Sequence, residues 1–178
     1  MIIGVMSDTH GHLTEMRKAA SRMVDEFGAT VLIHLGDDST DADELRGVTQ
    51  EFFSVPGIFE ARYKDANVPN RMIREFMDIP FLLTHTPTAN PHDRPNDIDP
   101  TAAAQDKEVK VVLHGHTHKP HISERFGAYY VNPGHLNPKD DRGSEMTFGI
   151  IELDPPKMQI KIIALEGGTV EQKLFFVE

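Results

Sequence analysis

A strand and a histidine-rich loop meet in the segment Val112-Leu113-His114-Gly115-His116-Thr117-His118-Lys119-Pro120. The apolar run Val109–Leu113 predicts a buried strand, which Gly115 ends in a loop. His116 and His118 are separated by Thr117, so in an extended loop their rings point the same way. Imidazole is the commonest metal ligand among side chains, although a single His-x-His pair does not identify a metal site. Further ligands must come from other parts of the chain.

The composition excludes several classes of protein. With 178 residues, the chain is predicted to form one domain, residues 1–178, with a substantial core. A net charge of −10 argues against duplex nucleic acid as a partner, because such binding needs lysine and arginine to neutralise phosphates. The chain contains no cysteine, which excludes disulfides and thiolate metal sites. Any metal ion must therefore be held by nitrogen and oxygen ligands.

The sequence contains no segment typical of a membrane or secreted protein. The chain has no apolar run approaching the roughly 20 residues of a membrane span. The polar pair Ser7-Asp8 follows Met1–Val5 too soon for a signal peptide. We therefore expect no membrane partner and a cytoplasmic location. The sequence leaves the oligomeric state open.

Strands and helices alternate in the first half of the chain, and strands dominate the second. The patterns predict strands at Ile2–Met6, Val31–Leu35, Glu51–Val55, Arg71–Met77, Phe81–Thr84 and Ala128–Val131, and helices at Leu13–Phe27, Asp41–Leu45 and Asp99 to about Lys107. Three alternating runs from Met146 onward predict a meander. This order predicts an α/β fold with two sheets packed together.

Acidic residues and histidines follow four of the predicted strands. These candidate ligands are Asp8, His10, Asp37, His85, His116 and His118. Ligands in open α/β sheets bind at the carboxyl ends of the strands. We therefore expect the six side chains to meet at one edge.

Four motifs of this chain resemble those of a known family. Asp8-Thr9-His10-Gly11, Gly36-Asp37, the lone His85 and Gly115-His116-Thr117-His118 are similar to the motifs of the calcineurin-like metallophosphoesterase family. The match is best with its small single-domain bacterial and archaeal phosphodiesterase branch. The resemblance extends from residue 7 to about residue 134. It implies an α/β/β/α sandwich of two sheets with a dinuclear metal centre.

The resemblance also implies a ligand assignment. Asp8, His10 and His118 would hold the first ion, His85 and His116 the second, and Asp37 would bridge both. Mixed carboxylate and imidazole ligands suit manganese, iron, zinc, nickel or cobalt, and the family precedent favours manganese.

The implied chemistry is hydrolysis of a small phosphate ester, above all a phosphodiester. Two ions about 3.5–4 Å apart can share a hydroxide that attacks phosphorus, while the same ions bind the phosphate oxygens. Asp37 and His85 would be catalytic through the hydroxide that their metals hold.

One departure from the family pattern supports an alternative. The family places an asparagine ligand after the third strand, whereas here Gly57 is followed by Ile58-Phe59-Glu60. Ile58 cannot bind a metal and Phe59 cannot act as an acid. Water or Glu60 could complete the second site, with Asn67 as a more remote candidate. Alternatively, the chain is a weakened or inactive member that acts as a protein-binding scaffold, like the retromer subunit of this architecture. The six intact ligands favour the enzyme.

The remaining histidines are assigned by position. His34 and His114 lie within predicted strands, so we expect buried or supporting roles. His92 and Arg94 lie in the long segment Thr86–Asp97, which is predicted to be a loop over the site. We expect both to be solvated, with contact to substrate as the alternative.

Overall fold

The computed structural model describes residues 1–177, which form eleven strands and two α-helices. The strands are β1 (Ile2–Met6), β2 (Val31–His34), β3 (Glu51–Ser54), β4 (Arg71–Phe76), β5 (Ile79–Thr84), β6 (Val111–Leu113), β7 (His121–Arg125), β8 (Ala128–Asn132), β9 (Thr147–Asp154), β10 (Lys157–Ala164) and β11 (Thr169–Phe176). The helices are α1 (Leu13–Ser21) and α2 (Pro100–Gln105), accompanied by a π-helical turn at Arg22–Glu26 and 3-10 turns at Asp41–Leu45 and Ala61–Lys64.

The strands form two mixed sheets. The first has the order β11-β10-β9-β1-β2-β3, and the second has the order β4-β5-β6-β8-β7. In the first sheet β1, β2 and β3 are parallel, and β9, β10 and β11 form the predicted antiparallel meander. In the second sheet β5, β6 and β8 are parallel. The parallel strands bring several carboxyl ends to the same end of each sheet.

Alternation along the strands sorts side chains between layers. Ile3 and Val5 of β1 face the layer between the sheets, where they join Leu83 of β5 and Leu113 of β6 in one buried cluster. This cluster packs the two sheets face to face.

A helix covers the outer face of each sheet. Met16 and Met23 pack against Leu32 and Ile150 on the first sheet. On the second sheet, Ala103 and Ala104 of α2 pack against residues of β5, β6 and β8, namely Leu82, Val112 and Tyr130. The predicted α/β/β/α sandwich is therefore confirmed. None of the helices in residues 1–177 combines the length and the apolar character needed to cross a membrane.

Several element boundaries differ from the predictions. The predicted helix Leu13–Phe27 is α-helical only to Ser21 and continues as the π-helical turn. The turn before β5 consists of Met77 and Asp78, with φ of +51° and +64°, so this strand begins at Ile79 rather than at Phe81. Two consecutive residues with positive φ are typical of the tight hairpin turns that fit the twist of paired strands.

The segment after β5 is anchored by Arg71, whose side chain is only 1% exposed. Its guanidinium donates to the Asp93 carboxylate at 2.8 and 3.0 Å and to the carbonyl oxygens of Thr88 and Ile98. A buried guanidinium needs such a full set of acceptors, since an unpaired charge is costly. The predicted loop over the site is therefore fastened to the sheet.

Candidate metal centre

The structure brings all six predicted ligands together in two groups that share one residue. The first group contains Asp8, His10, Asp37 and His118, and the second contains Asp37, His85 and His116, with the ligand atoms of each group within 4.8 Å of one another. The grouping is the one that the resemblance implies. The prediction that they meet at one sheet edge is wrong. The side chains follow facing strand ends of both sheets, namely β1 and β2 in the first sheet and β5 and β6 in the second.

The first group has the spacing of a coordination shell. His118 Nε2 lies 3.2 Å from Asp8 Oδ1 and 3.1 Å from His10 Nε2. Metal–ligand bonds of about 2.0–2.2 Å place neighbouring donors about 3.0–3.5 Å apart. The three donor atoms therefore fit around a single cation.

The second group has the same spacing. His85 Nε2 lies 3.3 Å from Asp37 Oδ2 and 3.2 Å from His116 Nδ1. Asp37 Oδ2 also lies 3.9 Å from His10 Nε2, so this oxygen faces both groups. Asp37 is thus placed where the resemblance requires a bridging carboxylate.

Hydrogen bonds from Nδ1 on the far side of two rings turn the Nε2 atoms of these rings toward the candidate metal centre. His85 Nδ1 lies 2.7 Å from Leu35 O, and because a carbonyl only accepts, Nδ1 carries the proton. The Nδ1 of His118 is bonded in the same way to the Asp140 carboxylate. Such outer contacts fix the tautomer and the ring orientation of metal-binding histidines.

The backbone at the site is unusual. Asp8, His10, Asp37, His116 and His118 all have positive φ, at +56°, +48°, +47°, +69° and +60°. Residues other than glycine rarely occupy this left-handed region, and its occupants cluster at functional sites, where surrounding structure compensates the strain. The backbone thus has the left-handed conformation at five of the six candidate ligands.

Two glycines allow the close approach of the loops. A Cβ atom at Gly57 would lie 1.7 Å from Asp37 Oδ1, and one at Gly115 would lie 1.9 Å from Ser7 Oγ and 2.5 Å from Asp8 Oδ2. No larger residue fits at either position without displacing a candidate ligand or its neighbour. Both loops therefore contact the site through bare backbone.

The histidines around Asp8 keep its carboxylate charged. Burial alone would raise the pKa of Asp8, but hydrogen bonding to His118 and the charge of His85 outweigh it and hold the pKa below its usual value. Burial likewise acts to lower the pKa of His118, but the Asp8 carboxylate outweighs it, and the pKa is raised. A cation bound here would replace the imidazole proton, so metal binding releases protons.

Glu60 does not join either group. Its carboxylate accepts hydrogen bonds from the backbone N–H groups of Asp37, Ser39 and Gly57, and from the Ser39 hydroxyl. These donors occupy both oxygens, so the structure does not support Glu60 as the replacement ligand. The carboxylate instead holds the Asp37 loop, and Ile58 beside it is buried.

The other candidates from the sequence have structural roles. Asn67 is exposed, and its side-chain amide donates to the Asp65 carboxylate. Arg94 donates to the carbonyl oxygens of Asp65 and Val68 and so ties two loops together. His34 is fully buried, as predicted, and its Nδ1 accepts from the backbone N–H of Gly36.

Sequence reasoning missed two residues beside the site. Asp140 contacts His118, and the Arg142 guanidinium donates to His116 O at 3.2 Å. Both lie in the loop after Asn137, where no periodicity or motif marks them. A carboxylate and a guanidinium in a polar loop are ordinarily solvated, so only the folded arrangement reveals their partners.

Comparisons with known proteins identify the superfamily of the chain. The chain matches the calcineurin-like phosphoesterase superfamily domain over residues 1–155. It is 29% identical over 172 residues to the probable metallophosphoesterase MJ0623 of Methanocaldococcus jannaschii, covering 93% of this chain and 82% of that protein. It is 31% identical over 153 residues to the phosphodiesterase MJ0936 of the same organism, covering 75% of this chain and 83% of that protein.

A solved structure extends the likeness of the fold. Vps29 of Chaetomium thermophilum superimposes with a TM-score of 0.72 at 16% identity, covering 100% of this chain and 96% of that chain. At this identity the likeness concerns the fold alone. The family match and the candidate metal-binding groups go further, and the chain belongs to the calcineurin-like phosphoesterase superfamily.

Proposed function

We propose that this protein is a metal-dependent phosphodiesterase that hydrolyses small phosphate esters with two divalent cations, manganese first among them. The observation that carries the proposal is the position of Asp37. Its Oδ2 lies 3.3 Å from His85 Nε2 and 3.9 Å from His10 Nε2, so one carboxylate oxygen faces both ligand groups. The named relatives, a probable metallophosphoesterase and a phosphodiesterase, support the same reaction class.

The side chains would hold the two cations and bind the phosphate of the substrate. When bound, the two cations supply Lewis acidity toward the phosphate oxygens and an activated water as nucleophile. Asp8, His10 and His118 would hold one cation, and His85 and His116 the other, with Asp37 joining them. Arg142 extends beside His116, where its guanidinium can neutralise a phosphate oxygen of the substrate.

The two cations should differ in affinity. The first group offers four side chains and the second offers three, because Ile58 stands where the family places asparagine. Fewer ligands and a smaller opposing charge bind a cation less tightly. We therefore expect activity to rise with added metal after the first site is filled.

The alternative, a protein-binding scaffold, is less well supported. The likeness to Vps29 is a likeness of fold and does not choose between the two functions. Left-handed backbone at five candidate ligands costs free energy, which a surface used only for docking has no reason to retain. The strain coincides with the ligand groups, and this coincidence favours the enzyme.

Hydrolysis of bis(4-nitrophenyl) phosphate tests the proposal, together with a count of bound manganese by mass spectrometry. We expect metal-dependent turnover by the wild type and a loss of at least about 100-fold in kcat/KM in Asp37→Asn and His85→Ala. His121→Ala is the matched control, because this histidine lies on β7 and is largely exposed. Unchanged turnover in both variants would overturn the proposal. So would a wild type that is inactive with manganese, iron, zinc, nickel and cobalt.

A further inference from the structure

Phe59 is 76% exposed, more than any other large apolar side chain in residues 1–177. A single exposed apolar residue is ordinary on a protein surface. The location and the partner of this residue make it informative.

The backbone on both sides of Phe59 is held against the candidate metal centre. Gly57 touches the Asp37 carboxylate, and Glu60 accepts a hydrogen bond from Asp37 N at 3.0 Å. Since consecutive Cα atoms are about 3.8 Å apart, Phe59 lies within about 8 Å of the Gly57 backbone. The short loop segment that contacts Asp37 through Gly57 and Glu60 therefore also carries the exposed phenyl ring.

The partner of Phe59 is His92, in the loop that follows His85. The two rings meet edge to face, with centroids 5.5 Å apart and an interplanar angle of 75°. This arrangement is favoured between aromatic rings and leaves a face of the phenyl ring uncovered. His92 Nδ1 donates to Asn90 Oδ1 at 2.9 Å. His92 Nε2 has no hydrogen-bond partner within residues 1–177, so it is free to bond to a ligand.

Hydrogen bonds join the two segments that carry these rings. The turn that carries His92 is closed by a hydrogen bond from Asp93 N to Asn90 O at 2.9 Å. Asp93 is bound by the buried Arg71, and it also accepts from the hydroxyl of Tyr63, four residues beyond Phe59. These contacts hold the segment after Phe59 against the turn that carries His92.

We propose that Phe59 and His92 form an aromatic wall beside the metal centre that selects phosphate esters with a nucleobase or another aromatic substituent. This inference rests on the proposed function, whose site it extends. Every nucleobase has a flat face, and stacking on aromatic side chains is a sequence-tolerant way to hold one. The net charge of −10 disfavours long polyanions, so the ligand is of mononucleotide size.

Binding of adenosine 5′-monophosphate and ribose 5-phosphate to the manganese-loaded protein tests the wall by calorimetry. The two ligands share the sugar and the phosphate, and ribose 5-phosphate carries a hydroxyl group where the nucleotide carries the base. We expect the nucleotide to bind about tenfold more tightly to the wild type. Phe59→Ala should reduce this ratio to about one without changing the affinity for ribose 5-phosphate, and Phe59→Tyr should restore it. Phe126→Ala is the control, since Phe126 is 51% exposed in the turn between β7 and β8.

The outcomes separate the two proposals. Equal ratios in the wild type and Phe59→Ala would overturn the aromatic wall, even in an active phosphodiesterase. A ratio that collapses in Phe59→Ala supports the wall as a binding surface, even if the hydrolysis assay shows no turnover and the proposed reaction fails.

Discussion

The ring of His118 bridges Asp140 and Asp8: its Nδ1–H donates to the Asp140 carboxylate, while its Nε2 lies 3.2 Å from Asp8 Oδ1. Asp140 therefore fixes the tautomer that presents Nε2 to a cation. His118 also becomes a stronger ligand, because a carboxylate bonded to Nδ1 increases the basicity of Nε2.

Replacing Asp140 should weaken metal binding without touching a ligand. We expect Asp140→Ala to lower the affinity for the first manganese ion by about 10–100-fold. Asp140→Asn should lose less, because its amide oxygen still accepts from Nδ1. Titration calorimetry measures the affinity, and Asp141→Asn is the control at an exposed neighbouring position. Wild-type affinity in Asp140→Ala would contradict this role.

Gly57→Ala should damage the site through a single methyl group. The added Cβ would meet Asp37 Oδ1 at 1.7 Å, so the carboxylate must move. We expect a loss of about 1–3 kcal/mol in the free energy of unfolding and a sharp drop in manganese binding. Urea denaturation and metal titration report the two effects. Gly168→Ala should leave both unchanged, because nothing lies within 4 Å of a Cβ there. A Gly57→Ala protein with full metal binding would show that the loop can yield.

His34 should make the protein less stable in acid. Burial lowers its pKa to about 4, from an ordinary value of 6.5. The folded ring is neutral, so between these two values the unfolded chain binds more protons, and stability is lost as the pH falls through this window. The shift corresponds to about 3 kcal/mol at most. Urea denaturation of metal-free protein from pH 7 to pH 4 should show a smaller decline in His34→Gln than in the wild type. Parallel declines would refute the assignment.

The strands and the candidate ligands could be identified from the sequence, because both depend on local patterns. β1 ends at Met6 as predicted, since an apolar run gives way there to polar residues. Asp8, Asp37, His85 and the two loop histidines follow strand ends, and parallel strands carry such residues to a common end. The α2 helix begins as predicted, with the Asp99 carboxylate accepting from Thr101 N and Ala102 N.

The contacts of polar side chains between loops could not be predicted. Glu60 had the right chemistry for a ligand and the right place in the sequence. Three backbone N–H groups that fold around it nevertheless occupy its oxygens. The contacts of Asp140 and Phe59 have no signature in the sequence, because their partners, His118 and His92, lie 22 and 33 residues away in the chain.

The sequence alone determined the succession of strands along the chain, the breaks after them and the choice of six candidate ligands, since each follows from hydrophobic periodicity or motif spacing. The folded chain decided which sheet each ligand belongs to, which carboxylate oxygen faces both groups and where the backbone takes a left-handed turn. Those features depend on the direction in which a side chain points after packing. Direction is a property of three-dimensional contacts, and spacing along a chain does not contain it.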